Sequence, residues 1–220
     1  MRHSAFVFDA YGTLFDVHSA VARIADRIGP DAAHFSELWR AKQLEYSWVR
    51  TLMSAYRDFW GLTEDALDFA LARFPSVDRG LRSDLLDSYL ALDAYPEVAS
   101  VLGSLKSNGA RVAILSNGSP DMLAAAVASA GLGQFIDNVF SVDAIRQFKT
   151  HPHAYRLVTD QWSVQPSEVS FQSSNRWDIA GARRFGFHTV WVNRSANPDE
   201  YPELPPDLIV RSLAELPGPG

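Results

Sequence analysis

An aspartate that directly follows a short apolar run is the first residue in the chain placed for chemistry. Residues Ala5–Phe8 read Ala-Phe-Val-Phe and end at Asp9, with Gly12 and Thr13 close behind. Such a run is typical of a buried parallel strand, and ligands bind just beyond the carboxyl ends of strands in open α/β sheets. A carboxylate at that point can act as a nucleophile, although Asp also commonly satisfies loop amides at strand ends.

Further polar side chains follow later apolar runs or precede later helices. They are Ser116, Asn117, Lys149, Ser173, Asn175 and Asp178. In a parallel sheet the strand ends converge on one crevice, so we expect these groups to lie near Asp9. Each alone has an ordinary explanation, which is a helix cap for Ser116 or Asp178 and a solvated side chain for Lys149. Their order and spacing together predict one site.

Apolar runs of strand length alternate with helical patterns along most of the chain. Strands are predicted at Ala5–Phe8, Val112–Leu115, Val139–Ser141, Val169–Phe171, Thr189–Val192 and Leu208–Val210. Helices are predicted at Pro96–Ser107, Pro120–Ala130, Pro152–Gln161 and Ile179–Phe185. Such alternation predicts an α/β fold with a Rossmann-like parallel sheet flanked by helices. The Pro-rich segment from Asn197 to Gly220 is expected to wrap the surface.

The interval between the first two strands has helical periodicity and no convincing strand. We therefore predict a helical cap at 16–94, inserted after the first strand into a core domain of 1–15 and 95–220. Within the cap, a helix is predicted over His34–Tyr56. Its apolar stripe, close to a period of 3.6 residues, consists of Leu38, Ala41, Leu44, Trp48, Leu52 and Tyr56.

The composition excludes several classes of function. The chain has 220 residues, of which 47% are hydrophobic and 21% charged, and its net charge of −6 indicates no basic face for nucleic acid. The absence of cysteine excludes disulfides, thiolate catalysis and Cys-ligated zinc. No apolar stretch approaches the roughly 18–20 residues of a membrane span. The start of the chain shows no signal-peptide pattern, so the expected location is cytoplasmic.

The order of the candidate residues resembles the haloacid dehalogenase superfamily over nearly the whole chain. In that superfamily a nucleophilic Asp follows the first strand, a Ser or Thr follows the second, a Lys precedes a later helix, and acidic residues follow the fourth strand. Most members are magnesium-dependent phosphatases with two further Asp residues at fixed positions. Tyr11 and Ser174 stand at those positions here. The loss of both acids implies a site without a metal and without a cofactor.

Within the superfamily, the chain looks most like the L-2-haloacid dehalogenase branch, in the segments Asp9-Ala10-Tyr11-Gly12-Thr13-Leu14 and Ser173-Ser174-Asn175-Arg176-Trp177-Asp178. Arg40 matches that branch's halide-side arginine. The resemblance implies that Asp9 displaces halide from the α-carbon of a short 2-halocarboxylate, with inversion, and forms an ester that water then hydrolyses. It also implies that Arg40, with Asn117, stabilises the departing halide, and that Lys149 keeps Asp9 ionised.

The remaining residues that the resemblance brings to the site bind substrate or handle water. Those that orient or activate the hydrolytic water are Ser173, Asn175 and Asp178. Those that hold the substrate carboxylate are Ser116, Lys149 and the backbone N–H groups near Tyr11. The residues that wall the substrate tail are Phe59 and Trp177. Thr13 and Tyr155 stand beside the catalytic groups, although Tyr155 can equally be a core aromatic residue.

Three other functions compete with this interpretation. A hydrolase with the same nucleophile could act on another activated α-carbon, such as that of a cyclic imino acid. A phosphatase is disfavoured by Tyr11 and Ser174, because a phosphoryl group needs a cation clamp. A catalytically idle binding protein would have no reason to retain four such residues together, namely Asp9, Arg40, Lys149 and Asp178.

The cap helix also predicts a homodimer. In addition to its apolar stripe, it carries Trp39, Tyr46 and Val49. A helix that is apolar on more than one face needs two partners, and the core beneath covers only one of them. A twofold pairing of cap helices would bury the other face, although packing within a single cap would also do so.

Overall fold

A single parallel sheet forms the centre of the protein. The computed structural model describes residues 3–218, so Met1 and Arg2 at the start and Pro219 and Gly220 of the Pro-rich tail lie outside the described residues. The strands are β1 (Ala5–Phe8), β2 (Arg111–Ser116), β3 (Asn138–Ser141), β4 (Val169–Ser173), β5 (His188–Val192) and β6 (Leu208–Val210). They are all parallel, in the order β3-β2-β1-β4-β5-β6. The predicted Rossmann-like fold is confirmed.

The central strands β1, β2, β4 and β5 are apolar because both of their faces are covered. In β1, Phe6 and Phe8 belong to a large core cluster that continues into the helical insertion, while Val7 belongs to a second cluster on the opposite face. Val7 and Phe8 have no exposed surface. Burial on two faces explains why such strands appear as continuous apolar runs rather than alternating ones. Because β1 lies in the middle of the sheet, Asp9, which follows Phe8, is buried at the carboxyl end of a central strand.

Helices occupy the interval between β1 and β2 and the connections between later strands. The insertion contains α1 (Ser19–Ala22), α2 (Ala25–Ile28), α3 (Ala32–Leu52), α4 (Phe59–Arg73) and α5 (Arg82–Leu90). The later helices are α6 (Val98–Ser107), α7 (Pro120–Ser129), α8 (Pro152–Trp162) and α9 (Arg176–Phe185). Short 3₁₀ turns lie at Arg79–Leu81, Gly133–Phe135, Val142–Ala144, Pro166–Glu168 and Leu213–Glu215. The predicted helical cap after the first strand is therefore confirmed.

The chain leaves and re-enters the sheet region at adjacent points. The backbone N–H of Asp16 donates to the carbonyl of Asp93 at 2.8 Å, and that of Tyr95 donates to the carbonyl of Leu14 at 3.0 Å. The two crossings thus run side by side, which is the geometry that an insertion requires. The domain boundaries at residues 16 and 94 stay a prediction.

Three helices begin at residues other than those predicted, and the first of them, α3, begins at Ala32 rather than His34. Helix α6 begins at Val98 rather than Pro96, because Pro96 and Glu97 form a turn. Helix α9 begins at Arg176 rather than Ile179, and the carbonyl of Asn175 accepts from the N–H groups of Asp178 and Ile179. The apolar pattern misses this first turn because its residues are polar or aromatic. As a result, Trp177 and Asp178 belong to the helix and not to the loop before it.

The prediction for the long cap helix was wrong in its end and its buried face. Helix α3 ends at Leu52, before Tyr56, and its buried residues are Phe35, Ser36, Trp39, Gln43 and Ser47. Ala41, Trp48 and Leu52 of the predicted stripe are exposed. Trp39 instead lies on the buried face of α3, where its Nε1 donates to the carbonyl of Thr63 on α4 of the same cap. None of the helices within residues 3–218 combines the length and apolarity needed to cross a membrane.

Candidate active site

Asp9 stands at the carboxyl end of β1 with its two carboxylate oxygens unequally engaged. Oδ2 accepts hydrogen bonds from Thr13 Oγ1 at 3.0 Å, Asn175 Nδ2 at 2.7 Å and Ser173 Oγ at 3.3 Å. Oδ1 accepts only from Lys149 Nζ, at 3.0 Å, among the described side chains. An ionised carboxylate has about four lone-pair sites. Oδ1 therefore keeps the lone-pair capacity that a nucleophile needs.

Lys149 joins Asp9 to a second buried carboxylate. Its Nζ donates to Asp178 Oδ2 at 2.7 Å, and neither the lysine nor the Asp178 side chain has exposed surface. Tyr155 OH donates to the other oxygen, Asp178 Oδ1, at 2.8 Å. The Lys149 ammonium is thus shared between the Asp9 and Asp178 carboxylates. Buried charges are retained in proteins when they are paired and hydrogen-bonded in this way.

The surroundings shift the protonation of this cluster. Burial acts to lower the pKa of Lys149, but the adjacent Asp178 and Asp9 carboxylates outweigh it and raise that pKa, so the ammonium persists. Burial also raises the pKa of Asp178 to about 6, against the lowering effect of Lys149. The pKa of Tyr155 lies well above its usual value, because the phenol is buried and faces Asp178. Asp178 is thus a carboxylate suited to accept a proton near neutral pH.

The last residue of β2, Ser116, and the first residue after it, Asn117, lie at the same edge of the sheet. Asn117 Oδ1 accepts from the backbone N–H of Lys149 at 2.9 Å, which ties the loop after β2 to the one before α8. Asn117 Nδ2 is buried and has no partner within residues 3–218, so it is a donor available to a bound anion. Ser116 Oγ accepts from the N–H of Gly118 at 3.1 Å, and a Cβ at Gly118 would lie only 2.7 Å from the ring of Tyr11.

Tyr11 connects the sheet to the cap. Its ring lies 6.3 Å from that of Phe59, with the planes 28° apart, and both residues are buried. Its carbonyl oxygen accepts from Asn175 Nδ2 at 3.2 Å and from Arg40 Nη2 at 3.3 Å. Arg40 therefore reaches from α3 of the cap to the edge of the sheet, next to the amide that also contacts Asp9.

Trp177 lies on another side of the site. It packs edge-on against Trp48 of the cap at 5.4 Å between ring centroids, whereas Phe59 contacts Tyr11 and Phe148. Trp48 and Trp177 line a cavity of about 830 Å³ that also touches Lys149 and lies between α3 and the core. The structure thus gives the two predicted wall residues different neighbours: Phe59 contacts Tyr11 and Phe148, and Trp177 contacts Trp48 at the cavity.

Ser174 occupies the position at which most of the superfamily carries a metal-binding Asp. Its hydroxyl is hydrogen-bonded to the carbonyl of Gly12 and lies 3.0 Å from Thr13 Oγ1, and its N–H donates to the same Thr13 oxygen at 2.9 Å. No group of three or more His, Cys, Asp or Glu side chains within residues 3–218 is arranged to hold a metal. Ser174 thus serves to brace the loop that carries Thr13.

Two residues beside Arg40 were missed in the sequence. Gln43 and Tyr89 are both buried, and Tyr89 OH donates to Gln43 Oε1 at 3.2 Å. The position of Gln43, three residues after Arg40 on one helix, was a signal that the two side chains could meet. Tyr89 gave no comparable signal, because it comes from α5, far along the chain.

Comparison with known proteins agrees with this geometry. The family model described as hydrolase, haloacid dehalogenase-like hydrolase, matches residues 3–186. The chain is 51% identical over 213 residues to (S)-2-haloacid dehalogenase 4A of Burkholderia cepacia, covering 96% of this chain and 92% of that protein. It is 50% identical over 214 residues to (S)-2-haloacid dehalogenase 1 of Pseudomonas sp. strain CBS-3, covering 97% and 94%.

Solved structures show the same similarity. A dehalogenase with an intermediate complex superposes with a TM-score of 0.96 at 50% identity, covering 97% of this chain and 95% of that one. L-2-haloacid dehalogenase from Xanthobacter autotrophicus, with chloropropionic acid covalently bound, superposes with a TM-score of 0.87 at 39% identity, covering 97% and 96%. The resemblance inferred from the sequence is therefore confirmed, and the chain belongs to the haloacid dehalogenase-like hydrolase family.

Proposed function

We propose that this protein hydrolyses short (S)-2-haloacids to (R)-2-hydroxyacids without a metal, through an ester formed on Asp9. The observation that carries the proposal is the buried Asp9 carboxylate, whose Oδ1 contacts only Lys149 among the described side chains. The similarity to proteins named (S)-2-haloacid dehalogenase supports the substrate class. In this mechanism the protein's own side chains supply every catalytic group.

In the first step, Asp9 displaces the halide. Oδ1 attacks the α-carbon from the side opposite the halogen, a carbon–oxygen bond forms, and the carbon–halogen electron pair leaves with the halide. Arg40 and Asn117 Nδ2, which has no hydrogen-bond partner among the described residues, supply fixed donors for the developing negative charge. A single back-side attack inverts the α-carbon, which accounts for an (R) product from an (S) substrate.

In the second step, water attacks the side-chain carbonyl carbon of the Asp9 ester. Asp178 accepts the proton of that water, because burial has raised its pKa toward neutrality. Ser173 and Asn175, which already contact the Asp9 carboxylate, orient the water. The bond from the Asp9 carbonyl carbon to the substrate oxygen then breaks, the departing alkoxide takes the proton back from Asp178 to become the 2-hydroxy acid, and the Asp9 carboxylate is restored.

Other side chains hold the substrate and the catalytic groups. We assign the substrate carboxylate to Ser116, Lys149 and the backbone N–H groups near Tyr11. The apolar substrate tail is assigned to the sides formed by Phe59 and Trp177. Thr13 anchors Oδ2 of Asp9, and Tyr155 holds Asp178. These contacts would restrict the substrate to an anion with a small substituent at its α-carbon.

Halide release from a panel of 2-halo acids tests the proposal, with the metal requirement measured in the same assay. We expect full activity in excess EDTA, because the two positions that carry acids in a metal-dependent relative are occupied here by Tyr11 and Ser174. Tyr11 stacks on Phe59, and Ser174 braces the loop that carries Thr13. Loss of halide release that Mg²⁺ restores would contradict metal independence. Phosphate-ester hydrolysis with Mg²⁺, in the absence of halide release, would select the phosphatase interpretation.

The hydrolysis step should depend on pH through Asp178. Its raised pKa, about 6, means that the carboxylate takes up a proton as the pH falls through that value, and the protonated acid cannot accept a proton from water. Turnover should therefore fall on the acid side, at or below about pH 6 because the esterified Asp9 no longer carries the charge that helps to raise the Asp178 pKa, while the Asp9 ester accumulates. Turnover that fell on the acid side without any accumulation of ester would assign the titration to another group.

We also propose that the protein is a homodimer joined through its cap. The exposed face at the C-terminal end of α3 carries the apolar side chains of Leu52 at 85% and Val49 at 43% exposure, and Met53, directly after the helix, is 59% exposed. Pairing this face with a second copy would remove that apolar surface from water. Trp39, which the sequence placed among the candidate dimer contacts, is buried inside the cap and does not belong to this exposed face.

Sedimentation at micromolar concentration tests the dimer. We expect a species of about twice the 24.4 kDa chain mass, because burial of this apolar face favours association. Leu52→Glu should reduce the species to a single chain. Ile209→Glu, at an exposed apolar position of β6, is the matched control and should leave the assembly intact. A wild-type protein that sediments as one chain would contradict the proposal.

A further inference from the structure

Gln43 is a buried amide that the proposed mechanism does not use. It lies three residues after Arg40 on α3, and its side chain has no exposed surface. Arg40 Nη1 donates to Gln43 Oε1 at 3.5 Å. A polar group in such a place destabilises the fold unless its hydrogen bonds are made. The partners of this amide therefore indicate what it is positioned to do.

The partners of Gln43 fix which way its amide points. Nε2 donates to Thr63 Oγ1 at 3.1 Å, and Thr63 Oγ1 itself donates to the carbonyl of Phe59 at 2.8 Å, so the threonine oxygen can only accept from the amide. Tyr89 OH donates to Gln43 Oε1 at 3.2 Å. Burial raises the pKa of Tyr89, which keeps the phenol a donor. Oε1 is thus held as an acceptor that faces Arg40.

The guanidinium of Arg40 is held from two directions. Gln43 Oε1 accepts on one side, and the carbonyl of Tyr11 accepts on the other at 3.3 Å. The same Tyr11 carbonyl accepts from Asn175 Nδ2, which donates to Asp9 Oδ2. The position of the guanidinium is therefore linked to the position of the nucleophile. A guanidinium has five N–H donors, so others remain for a departing anion.

We propose that Gln43 and Tyr89 are positioning residues that aim Arg40 at the departing halide and so set how strongly the rate depends on the halogen. The inference rests on the proposed dehalogenase function. Chloride is small and leaves poorly, so its departure depends most on well-placed donors, whereas the diffuse charge of iodide depends on them least. A residue that only stabilised the fold would affect all halogens alike.

The test is the single-turnover displacement rate with (S)-2-chloro-, 2-bromo- and 2-iodopropionate. Gln43→Leu removes the acceptor and puts an apolar side chain of similar size in its place. We expect the rate with the chloro substrate to fall by roughly 10- to 100-fold, the range for a catalytic group displaced by up to about 1 Å. The rate with the iodo substrate should fall less, so the iodo-to-chloro ratio should rise. Tyr89→Phe keeps the ring and should change the ratio in the same direction by a smaller factor.

Ser47→Ala is the matched control. Ser47 is buried on the same helix and donates only to the carbonyl of Leu44 among the described residues, so its loss should leave the halogen ratio unchanged. An equal loss with all three substrates, or no loss, would overturn the positioning role, and Tyr89→Phe decides the matter if Gln43→Leu does not fold. If the wild type released no halide from any of them, the dehalogenase function itself would fall, and this inference with it.

Discussion

Replacing Asp9 by Asn is expected to lower turnover of a 2-halo acid by roughly 10⁶-fold, the scale for loss of a covalent nucleophile. A neutral amide oxygen is a far weaker nucleophile than a carboxylate. The substitution should not disturb the fold, because Lys149 keeps its ion pair with Asp178 at 2.7 Å. Halide release in a single turnover, followed for hours, measures the residual rate.

Asp16→Asn is the matched control for this variant. Asp16 lies in the same segment after β1, where its Oδ1 accepts from the N–H of His18. It does not contact Asp9, Lys149 or Arg40, so its neutralisation should leave the rate near that of the wild type. Retention of substantial activity by Asp9→Asn, with the side chain verified as an amide by mass, would remove Asp9 from the role of nucleophile.

Replacing Asp178 by Asn should separate the two chemical steps. The displacement step uses the Asp9 carboxylate, Arg40 and Asn117 but not Asp178, and Lys149 still lies 3.0 Å from Asp9. The hydrolysis step loses its base, a loss of about 10²- to 10⁴-fold. We therefore expect one equivalent of halide per active site in a rapid burst, followed by slow turnover. Mass spectrometry of the intact chain should show the Asp9 ester.

An exposed acid in an equivalent position provides the comparison. Asp121 stands in the first turn of α7, as Asp178 does in α9, but it faces solvent. Asp121→Asn should show full turnover and no trapped ester. If Asp178→Asn slowed the burst as much as the steady state, Asp178 would be required before the ester forms and its role as the base for hydrolysis would be wrong.

The four central strands were predictable because each is a short apolar run that is largely buried on both faces, whereas the edge strands β3 and β6 keep Val139 and Ile209 exposed. The convergence of Asp9, Lys149 and Asp178 was predictable for a related reason, since parallel strands and their following loops meet at one edge. Their contacts follow that expectation, while their individual roles stay predictions. The start of α9 was harder to predict from the sequence, because Trp177 and Asp178 in its first turn do not continue the apolar periodicity.

The buried face of α3 could not be obtained from periodicity alone. Ser36, Gln43 and Ser47 are polar residues on that face. A pattern built from apolar residues alone therefore predicts the wrong face of the helix to be buried. Gln43 is tolerated there because Thr63 and Tyr89, from two other cap helices, satisfy its amide. Such partners come from tertiary packing, which a local pattern does not contain. The network around Arg40 was missed for the same reason.

The most direct test of the proposed mechanism is the fate of water oxygen in a single turnover. The enzyme, in excess over a 2-halo acid, is allowed to react once in heavy-oxygen water. Attack of Asp9 on the α-carbon followed by attack of water on the ester carbonyl predicts heavy oxygen in the Asp9 side chain and ordinary oxygen in the 2-hydroxy acid. Heavy oxygen found in the product of that first turnover, with none in the peptide that contains Asp9, would contradict a covalent intermediate.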